Sequence, residues 1–544
     1  MTAMMQNANR EMGTPIGRVI AVSAAQLIVL LEGAASGGPK PPPLEMAALV
    51  KVKTRASTVF GMISGLRVPL PTLATPEEDL KVIEIELLGE STDNAAGEAE
   101  GFRRGVSVFP ALEDAVYLAT KEDLAQVYAP PRDAAVPVGS IHQDPNVPAY
   151  LLVNDLLGKH FSIVGTTGSG KSCAVATILR SVIDKNPHAH VILLDPHCEY
   201  AHAFPEEAVV LSPGDGLCLP YWLFNFEELA EIVFGSTHRA EQWKILGEAV
   251  LAAKIAYLGR APSDRHVSVD TPMPYRVSDL VRHLDTAMGS LNRPESVPAY
   301  QLVKTRMLAL QNDIRFGFMF GTSLTLRDEM SEILSQLFRI PVNGKPITIL
   351  DLSGVPSEVL NVVVSVICRL TFDFSVWSDT QMPITIVCEE AHRYAPRNKD
   401  AGFEPVKRAL SRIAKEGRKY GVSLCVVSQR PSDLDPSLLS ECNTLFALRM
   451  TNQEDQDIVR GALPEASHGL MKFLPALRNG EAIVVGEGVS MPMRICFTPL
   501  PDNYRPRSST ASFTTAWSRD VDDRSEVEQT VERWRRGIRH AAAA

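Results

Sequence analysis

Paired cysteines, a basic excess and a leader-like start are all missing from this chain. Its eight cysteines, at 173, 198, 218, 368, 388, 425, 442 and 496, include no CxxC. That spacing argues against zinc ligands and a disulfide frame, and it predicts reduced, buried thiols in a cytoplasm. Lys plus Arg total 54 against 64 Asp plus Glu, a net charge of −10. Bulk electrostatics therefore supply no general attraction to nucleic acid or an anionic membrane, and any DNA contact must be a local basic patch, such as the lining of a ring's pore. The opening MTAMMQNANREMGTP has no basic region leading into an apolar core, so no secretory signal is expected. The apolar run 19–31 is broken by Ser23 and Gln26 and is shorter than the roughly 18–20 apolar residues a membrane span needs. No membrane partner is expected.

With 45% hydrophobic and 22% charged residues over 544 positions, the chain has ordinary globular composition and is too long for one core. Residues 1–14 read as a flexible arm. From 15 to 130, short β-rich runs (RVIAVSAAQLIVLLEG, LVKVKTRASTVFGMI, LKVIEIELLGE and GVSVFPALEDAVYLAT) alternate with breaks such as GAASGGPKPPP and STDNAAGEAEG. That spacing predicts a small β-barrel. The Pro-rich APPRDAAVPVGSIHQDPNVP reads as a linker to a different kind of domain.

Beyond Leu151, near-continuous apolar runs alternate with helical patterns: FSIVG, VILLD, ITILDL, ITIVCEE and VSLCVVS. Strands buried on both faces read this way, so the expected class is α/β, with a doubly wound core over 131–220 and 341–505. Amphipathic patterns between 221 and 340 predict a helical insertion. Residues 506–544 read as a C-terminal extension with one exposed helix.

Gly165–Ser172, GTTGSGKS, follows the strand FSIVG and opens a helical pattern, the context a phosphate-binding loop requires. Gly165, Gly168 and Gly170 let the backbone amides of Thr166, Thr167, Ser169 and Cys173 turn toward a phosphate chain, and the helix N-terminus adds positive potential. Lys171 is expected to neutralise the β- and γ-phosphates of ATP, and Ser172 to ligate Mg2+. The strand ITIVC runs into Glu389 and Glu390. Four apolar residues before an acidic pair place one carboxylate, Glu389, toward magnesium and the next, Glu390, beside the attacking water. Asp195, His197 and Glu199 follow VILLD, and Gln429 after VSLCVVS is placed to sense a γ-phosphate or orient water. The helix over 408–421 carries Arg408, Arg412, Lys415, Arg418 and Lys419. These form either a solvated face or charge aimed at a neighbouring subunit's nucleotide.

Taken in order, NDLLGKHFSIVGTTGSGKS, LLDPHCEY, ITILDLSGVP, IVCEEAHRYAP, KEGRKYGVSLCVVSQRPSDLDPSLLSECNT and NGEAIVVG resemble the HerA family of the HerA/FtsK branch of P-loop ATPases. The barrel is similar to the one shared with rotary ATP synthase subunits. The resemblance implies a homohexameric ring with a RecA-like core and ATP sites between subunits. Such a ring moves double-stranded DNA through its pore for a separately encoded nuclease, an NAD-consuming enzyme or another effector in DNA processing or anti-phage defence. It also implies that Glu390 is catalytic, that Gln429 is the polar sensor and that Arg418 is the finger reaching a neighbour's γ-phosphate, with Arg449 the next candidate. Lys159 stands where relatives often carry Arg, and lysine lacks the bidentate fork for phosphate. Glu389 stands where Asp is usual, its carboxylate about 1.5 Å further out, the length of one carbon–carbon bond. These two departures and the acidic charge leave open a second reading, a nucleotide-gated scaffold that switches an effector with little translocation. The basic loop holding Arg393, Arg397 and Lys399 is the expected DNA contact.

Overall fold

The computed structural model describes residues 15–31, 44–67, 81–93, 99–129, 134–235, 240–259, 266–290, 296–321, 328–379, 382–398, 402–463, 468–507, 513–518 and 524–536. The expected arm 1–14 and Lys399 lie outside the described residues. The chain divides into two compact units: Met1–Val182 with Gln429–Ser432 and Cys442–Pro499, and Ile183–Ser428 with Asp433–Glu441 and Leu500–Ala544.

The first unit opens with strands Pro15–Val22, Gln26–Leu31, Leu49–Lys53, Ser57–Arg67, Val82–Asp93, Ala99–Arg104 and Ala115–Leu118. Gln26–Leu31 pairs with both Pro15–Val22 and Val82–Asp93, which closes six strands into a barrel. Ala99–Arg104 is added outside that ring against Val82–Asp93. Alternation does the sorting: Val19, Leu27, Val29, Val50, Ile63, Ile83, Ile85 and Val116 are completely buried in the barrel core, while Ile20 and Ile28 face out. Ser23 and Gln26, which interrupt the apolar run 19–31, make its hairpin turn. Ser23 N–H donates to the Gln26 carbonyl at 2.8 Å and Gln26 N–H to Ser23 Oγ at 3.0 Å.

Three details differ from the sequence reading. STDNAAGEAEG is not wholly a break: strand Val82–Asp93 runs into it, and Ala99–Arg104 begins inside it. Polar residues suffice in a strand added outside the ring, where one face meets water. Of GVSVFPALEDAVYLAT only Ala115–Leu118 is strand. A helix unread in the sequence, Lys121–Val127, follows, capped reciprocally by Thr120 and Asp123. The Pro-rich stretch is a hairpin instead of a linker, Ala135–Ile141 with Pro148–Leu152, joined to Met493–Phe497. Pro137 is tolerated there because it sits at a register shift.

The rest of this unit is a sheet running Phe161–Val164, Thr444–Ala447, Glu481–Gly486, Met493–Phe497, Ala135–Ile141, Pro148–Leu152, parallel only in its first pair. Arg104, on the barrel's outermost strand, anchors to that sheet's loop. Its Nε donates to the Ser490 carbonyl at 2.6 Å and its Nη2 to those of Gly486 and Val489 at 2.6 and 2.5 Å.

The second unit holds six parallel strands in the order Gly216–Leu217, Ala208–Pro213, Ile347–Asp351, Val191–Asp195, Ile384–Cys388, Val422–Ser428. The central strands are buried throughout, as their apolar runs require. Ala208–Pro213 is only half-buried, so it carries no long apolar signature in the sequence. Helices Phe226–Phe234, Ala240–Leu258, Val277–Ser290, Val297–Asn312 and Met330–Phe338 occupy the stretch read as helical insertion. Helix Ser357–Trp377 reaches the length and apolarity of a span, with mean hydropathy 1.8 over its best 18 residues, yet it is packed as a core helix, 67% of that window buried. Its Arg369 forks onto the fully buried Glu228 (Nη2–Oε2 2.8 Å, Nε–Oε1 3.2 Å), which also accepts from Ser365 Oγ at 2.9 Å.

Lys254, 1% exposed, donates its ammonium to the carbonyls of Val269 and Thr271, the latter at 2.7 Å. Burial lowers its pKa from 10.5 to about 8, with Asp270 opposing. A basic group with a depressed folded-state pKa costs stability while it must be charged, so stability should rise as pH climbs from about 8 toward 10.5. The change is on the order of 2 kcal/mol. Urea unfolding of the wild type and Lys254→Met across pH 7.5–10 checks this, the rise being expected only in the wild type.

Candidate functional site

The phosphate-loop region is built by the first unit. Phe161–Val164 is wholly buried and delivers the chain to Gly165–Gly170 just before helix Lys171–Lys185 begins. Gly168 and Gly170 take φ of +73° and +101°, backbone states that a Cβ disfavours. The loop is braced from below. Thr166 N–H and Oγ1 both donate to the Arg449 carbonyl at 3.0 Å, Ser169 N–H donates to the Thr166 carbonyl at 3.2 Å, and Gly480 N–H to that of Ser169 at 3.3 Å. Lys171 Nζ, with Lys171 only 7% exposed, reaches the Thr166 carbonyl at 3.1 Å. Ser169 Oγ is buried with no hydrogen-bond partner among the described residues. Ser172 is half-buried and Cys173 exposed at the helix start. Gln429 comes to the same loop, its Oε1 accepting from Thr167 Oγ1 at 2.5 Å.

This arrangement fits a nucleotide's phosphates: a glycine-shaped turn, an amide-lined helix start, a lysine held at its base and a buried hydroxyl lacking a partner. Lys159 sits between two carboxylates. Its ammonium is held by Asp155 at 3.0 Å and by Glu487, and those two carboxylates raise its pKa.

The acidic region belongs to the second unit, where three neighbouring strands end in carboxylates. Asp351 pairs with Asp195 in register, and Leu194 pairs with Cys388, so Asp195 and Glu389 follow as neighbours. Asp195 is nearly fully buried and accepts the amides of His197 and Tyr200 at 3.2 and 3.0 Å. Burial outweighs those bonds and, helped by Asp351 and Glu199, raises its pKa to about 6. Cys198, at φ +56°, has its thiol pushed up to about 12 by burial and by Asp351.

Glu389 is buried and accepts the hydroxyl of Tyr200. Glu390 is also buried, in the left-handed region at φ +52°. That strained backbone turns the chain at the strand end and starts a short 3-10 turn, Ala391–Arg393. His392 Nδ1 lies 3.4 Å from Glu390 Oε2 and 3.2 Å from Ser428 Oγ. The carboxylate of Glu389 is a hard oxygen donor of the kind that suits Mg2+. Tyr200 was missed in the sequence because its role depends on a contact between residues 189 positions apart.

The helix Glu404–Tyr420 separates its basic residues. Arg408 pairs with Glu227 at 2.6 Å, and Arg412 stacks 4.2 Å over Phe372 and lies 3.4 Å from Asp373. Lys415, Arg418 and Lys419 are exposed. Among the described residues Arg418 makes no ion pair, and it stands in the last helical turn before Gly421. The loop after Glu390 is pinned by Arg397 N–H to the Asp433 carbonyl at 2.7 Å and by Asp435 N–H to that of Ala395 at 2.9 Å, leaving Arg393 and Arg397 exposed. Elsewhere His142, Glu481 and Cys496 come together with the donor types of a metal site. The carboxylate at its centre is already satisfied by Arg494 at 2.7 Å and the Arg478 amide at 3.0 Å.

A family model described as the central domain of helicase HerA matches residues 136–371. The DNA double-strand break repair helicase HerA of Pyrococcus furiosus is 27% identical over 412 residues, covering 69% of this chain and 71% of that protein. That of Saccharolobus solfataricus is 27% identical over 377 residues, covering 69% and 70%. Among solved structures, VirB4 of Thermoanaerobacter pseudethanolicus superimposes with a TM-score of 0.51 at 15% identity, over 69% of this chain and 99% of that one, a likeness of fold.

Gly170→Ala should weaken nucleotide binding by roughly five- to a hundredfold. An alanine Cβ at φ +101° is strained and would sit 3.3 Å from the Gly480 amide nitrogen, a cost on the order of 1–3 kcal/mol. Titration with a fluorescent ATP analogue, with circular dichroism as the folding control, checks it.

Proposed function

We propose that this chain, one of the HerA-like P-loop ATPases, is an ATP-driven motor that moves double-stranded DNA for a separately encoded effector. The observation that carries the reading is the braced glycine loop with Lys171 at its base and Gln429 bonded to Thr167, in a chain whose 136–371 match the HerA central domain. Lys171 and the amides of Gly165–Cys173 would bind the phosphates of ATP, and Ser172 and Glu389 would hold Mg2+, which neutralises charge on the β- and γ-phosphates. Glu390 accepts the proton of the attacking water, and its left-handed backbone, with His392 and Ser428 beside it, sets the carboxylate's direction. Gln429 senses the γ-phosphate from the loop it already touches.

A homohexamer fits this chemistry. Arg418 is exposed at a helix end, as a residue that completes a neighbouring copy's site must be. The effector would be a nuclease or an NAD-consuming enzyme, and anti-phage defence the setting. Arg393 and Arg397, exposed on a pinned loop, and Lys399 are the proposed DNA contacts. The engagement of Lys159 by Asp155 and Glu487 favours one alternative, a nucleotide-gated scaffold in which turnover is slow and independent of DNA.

ATP hydrolysis measured with and without linear double-stranded DNA, at low and physiological salt, separates the two. A motor gives a several-fold, salt-sensitive stimulation that Glu390→Ala abolishes; slow turnover indifferent to DNA favours the scaffold. Arg418→Ala should lower turnover by about three or more orders of magnitude while ATP still binds; surviving turnover would move the finger to Arg449. Replacing Arg393, Arg397 and Lys399 with Ala should flatten the salt dependence of DNA binding by roughly 0.9 in log–log slope per lost phosphate contact. An unchanged slope removes this loop from the DNA path.

A further inference from the structure

We infer that Tyr200 is the positioning residue for Glu389: its hydroxyl fixes the longer carboxylate in the place where a shorter aspartate would need no such support. The inference rests on the reading of Glu389 as the carboxylate directed to magnesium.

Three observations carry it. First, Tyr200 is itself immobilised. It is 1% exposed, and its backbone N–H donates to Asp195 Oδ2 at 3.0 Å, while the intervening turn is tied down by His197 N–H on Asp195 Oδ1 at 3.2 Å. The phenol therefore springs from a rigid base at one strand end and donates to Glu389 Oε1 at the next.

Second, the carboxylates are crowded. Asp351, Asp195 and Glu389 terminate adjacent strands, which lie about 4.8 Å apart. Like charges at that spacing repel, and the hydroxyl donated by Tyr200 offsets that repulsion at Glu389. The tyrosine hydroxyl is a neutral donor, so it restrains the carboxylate without cancelling the negative charge a cation needs. It engages one of the two carboxylate oxygens, Oε1.

Third, glutamate has one more rotatable bond than aspartate. Freezing that bond costs conformational entropy at the moment a metal binds. A hydroxyl that already holds the carboxylate removes most of that cost beforehand. An aspartate in place of Glu389 would fall about one carbon–carbon bond short of the hydroxyl, so the tyrosine and the glutamate should act as a pair.

The test is direct Mn2+ binding, followed by electron paramagnetic resonance, to the full-length protein holding a non-hydrolysable ATP analogue. The variants are Tyr200→Phe, Glu389→Asp, their combination and Glu389→Ala; phenylalanine keeps the buried ring and removes only the hydroxyl. Tyr200→Phe should weaken Mn2+ binding roughly tenfold, the size of one hydrogen bond to a charged group. Analogue binding without metal and the thermal midpoint should stay close to wild type. In the Glu389→Asp background the same change should have no further effect. The assignment is overturned if Tyr200→Phe leaves Mn2+ affinity within twofold, or if it weakens binding by the same factor in the Glu389→Asp background. It is overturned equally if metal-free analogue binding falls in parallel, because the hydroxyl is then merely structural. If Glu389→Ala itself leaves Mn2+ affinity intact, the reading of Glu389 as a metal ligand fails too, which separates that failure from a failure of Tyr200 alone.

Discussion

A strand buried on both faces can release polar side chains only where it stops, and this one constraint organises the strand ends of each unit. Phe161–Val164, Val191–Asp195, Ile384–Cys388 and Val422–Ser428 have no exposed residue along their length. Each strand's polar groups therefore stand at its own carboxyl end: in the first unit the glycine loop after Val164, and in the second Asp195, Glu389 and Glu390 after Cys388, and Ser428. Within the second unit, parallel pairing in register turns the acidic endings into a row.

The row creates an electrostatic problem that the sequence neighbours solve. Buried carboxylates on adjacent strands disfavour one another's charge, which is why burial and Asp351 hold Asp195 up near 6. The turn 196–200 answers with two backbone amides on Asp195 and a phenol on Glu389. At the next position Glu390 takes a left-handed backbone and is flanked by His392. A residue kept in that conformation needs support from its surroundings, and the 3-10 turn and the pinned loop to Asp433 supply it. Away from the row, buried charges are paired instead: Glu228 with Arg369 on the long apolar helix, and Lys254 on two carbonyls. Removing one member of such a pair is far more damaging than replacing both.

What could be read from the chain alone was local and periodic. Alternation revealed the barrel, continuous apolar runs the buried strands, and GTTGSGKS and the acidic pair after ITIVC the expected chemistry. These signals are legible because each depends on a few adjacent residues obeying a period of two or a fixed loop geometry. The sequence is weaker where burial is partial. The half-buried strand Ala208–Pro213, the polar strand Ala99–Arg104 and the Pro-containing hairpin 135–152 carry little apolar signature, since a strand with one face toward water tolerates polar residues and a register shift tolerates proline.

Tertiary structure alone decided which groups meet. The five basic residues of 408–419 look alike in sequence, yet packing ties Arg408 to Glu227 and stacks Arg412 on Phe372 while leaving Arg418 exposed. Lys159 stands beside the phosphate-loop strand in sequence but is turned onto Asp155 and Glu487. Tyr200 reaches Glu389 across 189 positions. The sequence by itself thus determined the elements and the kinds of chemistry at their ends, because backbone period and residue type are local properties. Only the fold determined the pairing of those ends, because a hydrogen bond between distant residues depends on strand order and register, which no single segment encodes.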